Sequence, residues 1–290
     1  MSNIILNKSN IVPNSNNNKL VYDFPRDVVF STSNQIVLSH LNLYFSWFNI
    51  SAKNNNNFFQ YRWIDDSIND VLIPDGYYSI SLLNNFLIEK MFENKHCLQM
   101  LSDTQNYMFF LEIKTNSKFY TSEVDLSSIG PSVELNGIVS ESISVFATPT
   151  NWDIPATFIA PALIIPSNSK FGELIGFYPG QTIEEIIDPS ETENKTYTIT
   201  SNTAPEVEPN SSFIVTCNLV KNTYARPNNV LTSFTIANSI DFGDIISFES
   251  EMWSDIAPGH YSQLEINIFD QNMKPLQILD STMLLVLSIK

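Results

Sequence analysis

Between Leu41 and Asn49 the odd positions hold Leu41, Leu43, Phe45 and Trp47, and the even ones hold Asn42, Tyr44, Ser46 and Phe48. A period of two places alternate side chains on opposite faces of an extended chain, so this run predicts a strand. Phe58, Phe59, Tyr61 and Trp63 resume the same β-prone composition after SAKNNNN. Asparagine tolerates left-handed backbone angles and caps its own turns. The stretch 44–63 therefore predicts an antiparallel hairpin with a long polar loop. A second hairpin is predicted from NYMFFLEIK (106–114) and KFYTSEVDL (118–126), turning at Thr115, Asn116 and Ser117. Beyond Ser211 come SFIVTCNLV, VLTSFTIA, DIISFES, YSQLEINIFD and STMLLVLSIK, separated by turn sequences such as RPNN, DFGD and APGH. LVYDFPRDVVF (20–30) predicts one more strand, interrupted at Pro25.

One segment departs from this period. In VLIPDGYYSISLLNNFLIEKM, Leu83, Phe86, Leu87 and Met91 recur at helical spacing after the Pro74, Asp75, Gly76 turn, with Ser79 or Ser81 placed to cap. Short strands, regular turns and a single short helix predict a mainly β fold, an antiparallel sandwich with a single jelly roll as the leading form. The order of segments predicts a flexible, Asn-rich arm over 1–19 and a jelly-roll domain over 20–290. Within that domain, 127–210 reads as a loop-rich or small β insertion. There the closely spaced prolines of NWDIPATFIAPALIIP forbid a central strand, and IGFYPGQ marks a turn.

Charge sharpens the reading of the middle. From 119 to 220 the only basic residues are Lys170 and Lys195, against thirteen acidic ones, in a chain of net charge −16. Such a body repels nucleic acid, so contact with a polyanion falls to the N-terminal arm, which carries Lys8 and Lys19 and no acid. No run approaches eighteen uninterrupted apolar residues, and MSNIILNKSNIVPNSNNNK lacks a basic region followed by an apolar core. The expectation is a chain made in the cytosol that keeps away from membranes.

A search for chemistry returns little. Cys97 and Cys217 lie in apolar runs and read as buried free thiols. Two cysteines and three histidines do not assemble a metal set, and DPSETENK lacks the glycine and spacing of a calcium loop. His96 and Cys97 are adjacent, which points their side chains apart in an extended chain. Glu184 with Glu185, and Asp65 with Asp66, are paired acids of the kind glycoside hydrolysis uses, and also of the kind that solvated loops carry. No glycine-rich phosphate loop or GxSxG nucleophile motif is present. The sequence thus points to no catalytic residues, no cofactor and no metal.

LSHLNLYFSWFNIS, NNNFFQYRWIDD and VLIPDGYYSISLLNNFL, followed much later by SSFIVTCNLVKN, NNVLTSFTIA, DFGDIISFES and YSQLEINIFDQNMKPLQILD, carry a family resemblance. Together they resemble the penton, or minor capsid, proteins of virophages of the Mavirus type and of Polinton (Maverick) elements. The similar blocks cover roughly 38–126 and 211–290. The resemblance implies a jelly-roll capsid protein that forms pentamers at the icosahedral vertices of a virion, beside a double jelly-roll major capsid protein.

A shell subunit needs broad self-complementary surfaces, and permanent interfaces are large and apolar. On that basis Tyr44, Phe48, Phe59 and Tyr61 are the candidates for subunit contacts. The competing reading is a jelly-roll carbohydrate- or receptor-binding module, a spike or a lectin, in which an exposed Trp152 serves as a sugar platform.

Overall fold

The computed structural model describes residues 2–101, 105–135, 138–142, 147, 149–207, 212–236 and 240–290. In chain order the elements are β1 (Ser2–Asn7), β2 (Lys19–Phe30), β3 (Gln35–Tyr44), β4 (Phe58–Arg62), β5 (Ile68–Leu72) and helix α1 (Ile80–Glu93). Then come β6 (Leu98–Gln99), β7 (Tyr107–Met108), β8 (Leu111–Asn116), β9 (Thr121–Ser127), β10 (Ser132–Leu135) and β11 (Ile138–Ser142). β12 (Ala162–Ile164), helix α2 (Phe171–Ile175), β13 (Thr182–Ile183) and β14 (Thr196–Thr200) follow. The last elements are β15 (Ser212–Cys217), β16 (Val230–Thr235), β17 (Ile245–Glu249), β18 (Ser254–Asp255), β19 (Gly259–Asp270) and β20 (Met283–Ile289). The chain divides into two compact units, unit 1 (Met1–Phe48 with Glu208–Lys290) and unit 2 (Asn49–Val207).

Unit 1 contains two antiparallel sheets, in the orders β1-β20-β3-β17 and β16-β15-β19-β2, with β18 continuing along β3 beyond β17. Taken in chain order, the first long strand of this unit pairs with the last (β1 with β20), and the second with the next to last (β2 with β19). β3 then pairs with β17, and β15 with β16. A ribbon folded back on itself in this nested way and then wrapped into two sheets is a jelly roll. Its interior is formed by Ile4 and Leu6 of β1, Leu41 and Leu43 of β3, Leu285 and Leu287 of β20, and Phe213, Val215, Leu264, Ile266 and Ile268 from the second sheet, all buried.

The alternation that predicts β3 is interrupted once. Val286 faces His40 and Leu287 faces Leu38, leaving Ser39 as a bulge whose hydroxyl donates to the Val286 carbonyl at 2.9 Å. Before the bulge Ile36, Val37 and Leu38 are all buried; after it Leu41, Leu43, Phe45 and Trp47 are buried, alternating with the half-buried Asn42 and Tyr44 until Ser46, which is buried as well. In β2 the interruption at Pro25 is larger. Val28 faces Tyr261 and Asp23 faces Gln263, so Phe24, Pro25, Arg26 and Asp27 loop out opposite Ser262. β2 is an edge strand, the position in a sheet where a proline costs least.

The segment expected to be a flexible arm is structured. Ser2 to Asn7 pair in register with Ile289 to Leu284, and Ile4 and Leu6 give this strand an apolar inner face that solvent would leave exposed. The asparagines after it close a turn. Asn14, Asn16 and Asn17 take left-handed φ values of 63°, 52° and 57°. The side chains of Asn17 and Asn18 donate to the carbonyls of Ile278 (2.8 Å) and Ile268 (3.2 Å). Lys19 forms an ion pair with Glu265 at 2.9 Å. The segment is therefore no free basic tail.

Unit 2 has its own core beneath two sheets, β13-β12-β4-β5 and β14-β9-β8. Helix α1 begins at Ser79, whose hydroxyl accepts from Leu82 N at 3.2 Å, and buries Leu83, Leu87 and Met91 as its spacing predicts. Asn84 on the same helix accepts from Ile113 N of β8 at 2.7 Å. The insertion is thus a β unit that starts at Asn49 rather than at 127. Residues 136–137, 143–146, 148 and 208–210 of the expected 127–210 segment lie outside the described residues. A strand does occur among the prolines: β12 lies between β13 and β4, with Pro161 and Pro166 flanking it, so no ladder donor is lost. At the end of α2, Gly176 has φ 76°, and a Cβ there would lie 2.2 Å from the Thr203 carbonyl, which only glycine avoids.

The hairpin predicted over 44–63 does not form. β3 pairs with β20 and β17, whereas β4 pairs with β5 and β12. The asparagines between them close a local turn of unit 2. Ser51 caps a 3-10 turn over Ala52–Asn54, Asn55 is left-handed at φ 57°, and Asn56 bonds both Ser51 N (2.9 Å) and the Asn49 carbonyl (2.8 Å). The second hairpin forms, but its turn lies at Ser117 to Tyr120, two residues later than the asparagine suggested.

Candidate assembly surface

Tyr44 and Phe48, expected at a subunit contact, both keep part of their surface in unit 1. Phe48 packs against Phe242 with ring centroids 6.1 Å apart. From there an aromatic chain enters the sandwich. Phe242 meets Phe45 at 5.8 Å, Phe45 meets Trp47 at 4.7 Å, and Trp47 meets Phe213 at 4.9 Å. The first aromatic run of the sequence thus serves mainly to fill the jelly roll.

Tyr44 belongs to a different set. It faces Ile245 across the β3–β17 pair on the outer side of the β1-β20-β3-β17 sheet. The next row on that side is Asn7, Leu284, Asn42 and Ser247, and the one beyond is Ile5, Val286, His40 and Glu249. Ile5 (58 %), Ile245 (53 %) and Leu284 (36 %) are solvent-exposed. An antiparallel sheet with one solvated face ordinarily alternates apolar and polar. Here NIIL and MLLVL are apolar on both faces, and the outward members form a contiguous band. Those unbroken runs are the signal of this surface in the sequence. His40 and Glu249, 3.3 Å apart, close one rim of it.

Phe59 and Tyr61 lie elsewhere. Both are fully enclosed in unit 2, so neither offers surface to a neighbour. Phe59 stacks on Phe171 at 4.4 Å and 19°. The Tyr61 hydroxyl lies 2.8 Å from Nδ1 of His96 and accepts from Asn94 Nδ2 at 2.7 Å. Burial pushes the Tyr61 phenol up to about 12 and holds His96 below the ordinary histidine range, which favours the neutral imidazole. Trp63 stacks on the imidazole at 4.7 Å and 6°, and Trp152 meets Trp63 edge-on at 5.3 Å. Trp152 is 6 % exposed and donates to the Lys95 carbonyl at 2.8 Å, so it is no sugar platform.

Each acid pair has a member occupied with local structure. Asp65 accepts from Ser67 N at 2.9 Å in the β4–β5 turn, where Asp66 is left-handed. Glu184 pairs with Arg62. Among the described residues no three His, Cys, Asp or Glu side chains gather as metal ligands. Cys97 and Cys217 are free thiols, and burial raises Cys217 to about 12.

No family model matches the chain, and no curated protein matches it. Among solved structures it is similar to the mavirus penton protein at 10 % identity and a TM-score of 0.43, over 99 % of this chain and 97 % of that one. It is likewise similar to a chain of the Sputnik virophage at 9 % identity and a TM-score of 0.38, over 99 % of this chain and 96 % of the other.

Proposed function

We propose that this chain is a structural subunit of a viral capsid. It forms pentamers through the outer face of its jelly roll, and these occupy icosahedral vertices beside a double jelly-roll major capsid protein. The observation that carries this reading is the group of outward apolar side chains on one sheet, Ile5 paired with Val286, Leu284 two residues before it, and Tyr44 paired with Ile245, interspersed with Asn7, Asn42, Ser247, His40 and Glu249. Large apolar side chains exposed together on one sheet face suit a permanent interface, where burying each contributes on the order of 1.5–3 kcal/mol. The sequence blocks that resemble pentons support the same role, and most of the jelly-roll strands lie within them.

Light scattering on the full-length chain, alone and with the major capsid protein, tests this. A mass of five chains, or a single chain that joins shells only when the major capsid protein is added, supports it. A monomer or trimer that ignores the shell protein overturns it.

A further inference from the structure

Unit 2 carries an open groove of about 300 Å³ over the outer side of the β14-β9-β8 sheet. Strand alternation makes one wall. Leu111, Ile113, Val124 and Leu126 point into the core, which leaves Glu112, Lys114, Asp125 and Ser127 outward. Glu112 and Thr198 both face Asp125 across the strands, and Thr196 faces Ser127. Lys114 Nζ lies 2.8 Å from Glu112 and 2.7 Å from Asp125, Thr198 donates to Asp125 at 2.7 Å, and the Ser127 and Thr196 hydroxyls are 2.8 Å apart. The rest of the lining is mostly apolar, Met100, Tyr107, Met108, Phe109 and Phe110, with Asn106 as its one amide.

An ammonium has three N–H donors, and Lys114 spends two on its carboxylates. The Ser127 and Thr196 hydroxyls share one proton between them and keep the other. The polar wall therefore offers an N–H, an O–H and several carboxylate lone pairs beside an aromatic and aliphatic surface. Its charge narrows the ligand. Two carboxylates against one ammonium, on a chain of net charge −16, oppose an anion. Lys114 at the centre of the group opposes a cation. A neutral ligand remains, with one apolar face and an edge dense in hydroxyls.

We propose that this groove binds a neutral saccharide, its ring face against Tyr107 and Met108 and its hydroxyls on Lys114, Asp125, Ser127 and Thr196. The groove uses none of the residues of the jelly-roll surface, so the proposal stands or falls separately from assembly.

The test is a printed array of neutral and acidic oligosaccharides probed with the full-length chain, followed by calorimetric titration of a retained sugar into native protein, T196V and K114M. Thr196→Val keeps shape and β-propensity on an edge strand, so it removes the hydroxyl with the fold intact. The expected result is retention of neutral sugars and at least a tenfold loss of affinity in each variant, with unchanged circular dichroism. If Lys114→Met lowers the melting temperature, Thr196→Val alone decides. An array that retains no sugar, retention of sulfated or sialylated sugars only, or affinities equal in native and variant protein would each overturn the proposal.

Discussion

Inside unit 2 the Tyr61 hydroxyl and His96 Nδ1 meet at 2.8 Å beneath the stacked ring of Trp63, both side chains out of contact with water. The pair couples an internal hydrogen bond to pH. Unfolded, His96 titrates near the ordinary histidine value of about 6.5. Folded, burial lowers it, with Asp65 opposing in part. Between those two values the unfolded chain binds the extra proton, so stability is full above pH 6.5 and falls as the pH drops through 6.5 toward the folded value. Thermal melts from pH 8 to pH 5 should show a transition moving down on acidification, and His96→Gln should flatten that dependence. Equal slopes in both proteins would show that His96 is not responsible.

Tyr44 and Phe59 separate assembly from folding. Tyr44→Asp alters a partly exposed side chain on the outer sheet face, and should leave circular dichroism and melting near native while abolishing the higher-mass species in light scattering. Phe59→Ala removes a fully buried ring stacked on Phe171, and should destabilise by about 3–5 kcal/mol in denaturant titration. Loss of fold in Tyr44→Asp would assign that residue to the core.

The first strand offers a direct check on the amino-terminal segment. Leu6 is fully buried against β20, so Leu6→Ala should cost about 2–5 kcal/mol of stability, read as a lower denaturant midpoint. A change within about 0.5 kcal/mol, the range of ordinary surface substitutions, would mean that β1 does not dock in solution.

Asn49 bonds the Tyr78 carbonyl (2.8 Å), the Val207 carbonyl (2.7 Å) and Tyr78 N (2.9 Å), tying both ends of unit 2 together. Asn49→Ala leaves buried polar groups without partners. It should destabilise by about 1–3 kcal/mol and speed amide exchange near Tyr78 and Val207. Unchanged exchange there would remove Asn49 from this role.

How far the sequence can be read depends on what each signal encodes. The helical period of Leu83, Leu87 and Met91 and the five apolar runs after Ser211 are local, and they mark their elements correctly. Alternation through Leu41, Leu43, Phe45 and Trp47 marks a strand and its inner face but not its partner. The same signal therefore suggested a hairpin with β4, when the partners of β3 are more than 200 residues further along the chain. The acid-rich composition beginning near 119 follows the surface charge of unit 2 and not its boundary, which falls at Phe48 and Asn49 with no glycine, proline or serine linker to announce it. Asn-rich composition concealed β1 and its turn, because asparagine that satisfies backbone carbonyls looks the same in a sequence as asparagine facing water. The outer apolar face was legible only in NIIL and MLLVL, runs too short to separate two-faced burial from a buried core strand.

The position of β20 between β1 and β3 also sets an order in time. A ribosome makes β1 and β3 first and all of unit 2 next, yet neither early strand is a partner of the other. Until β20 emerges the two have open edges and uncovered apolar faces, and the sheet that carries the outer band cannot exist. An interface built on that sheet therefore requires β20 in place and cannot form from β1, β3 and β17 alone.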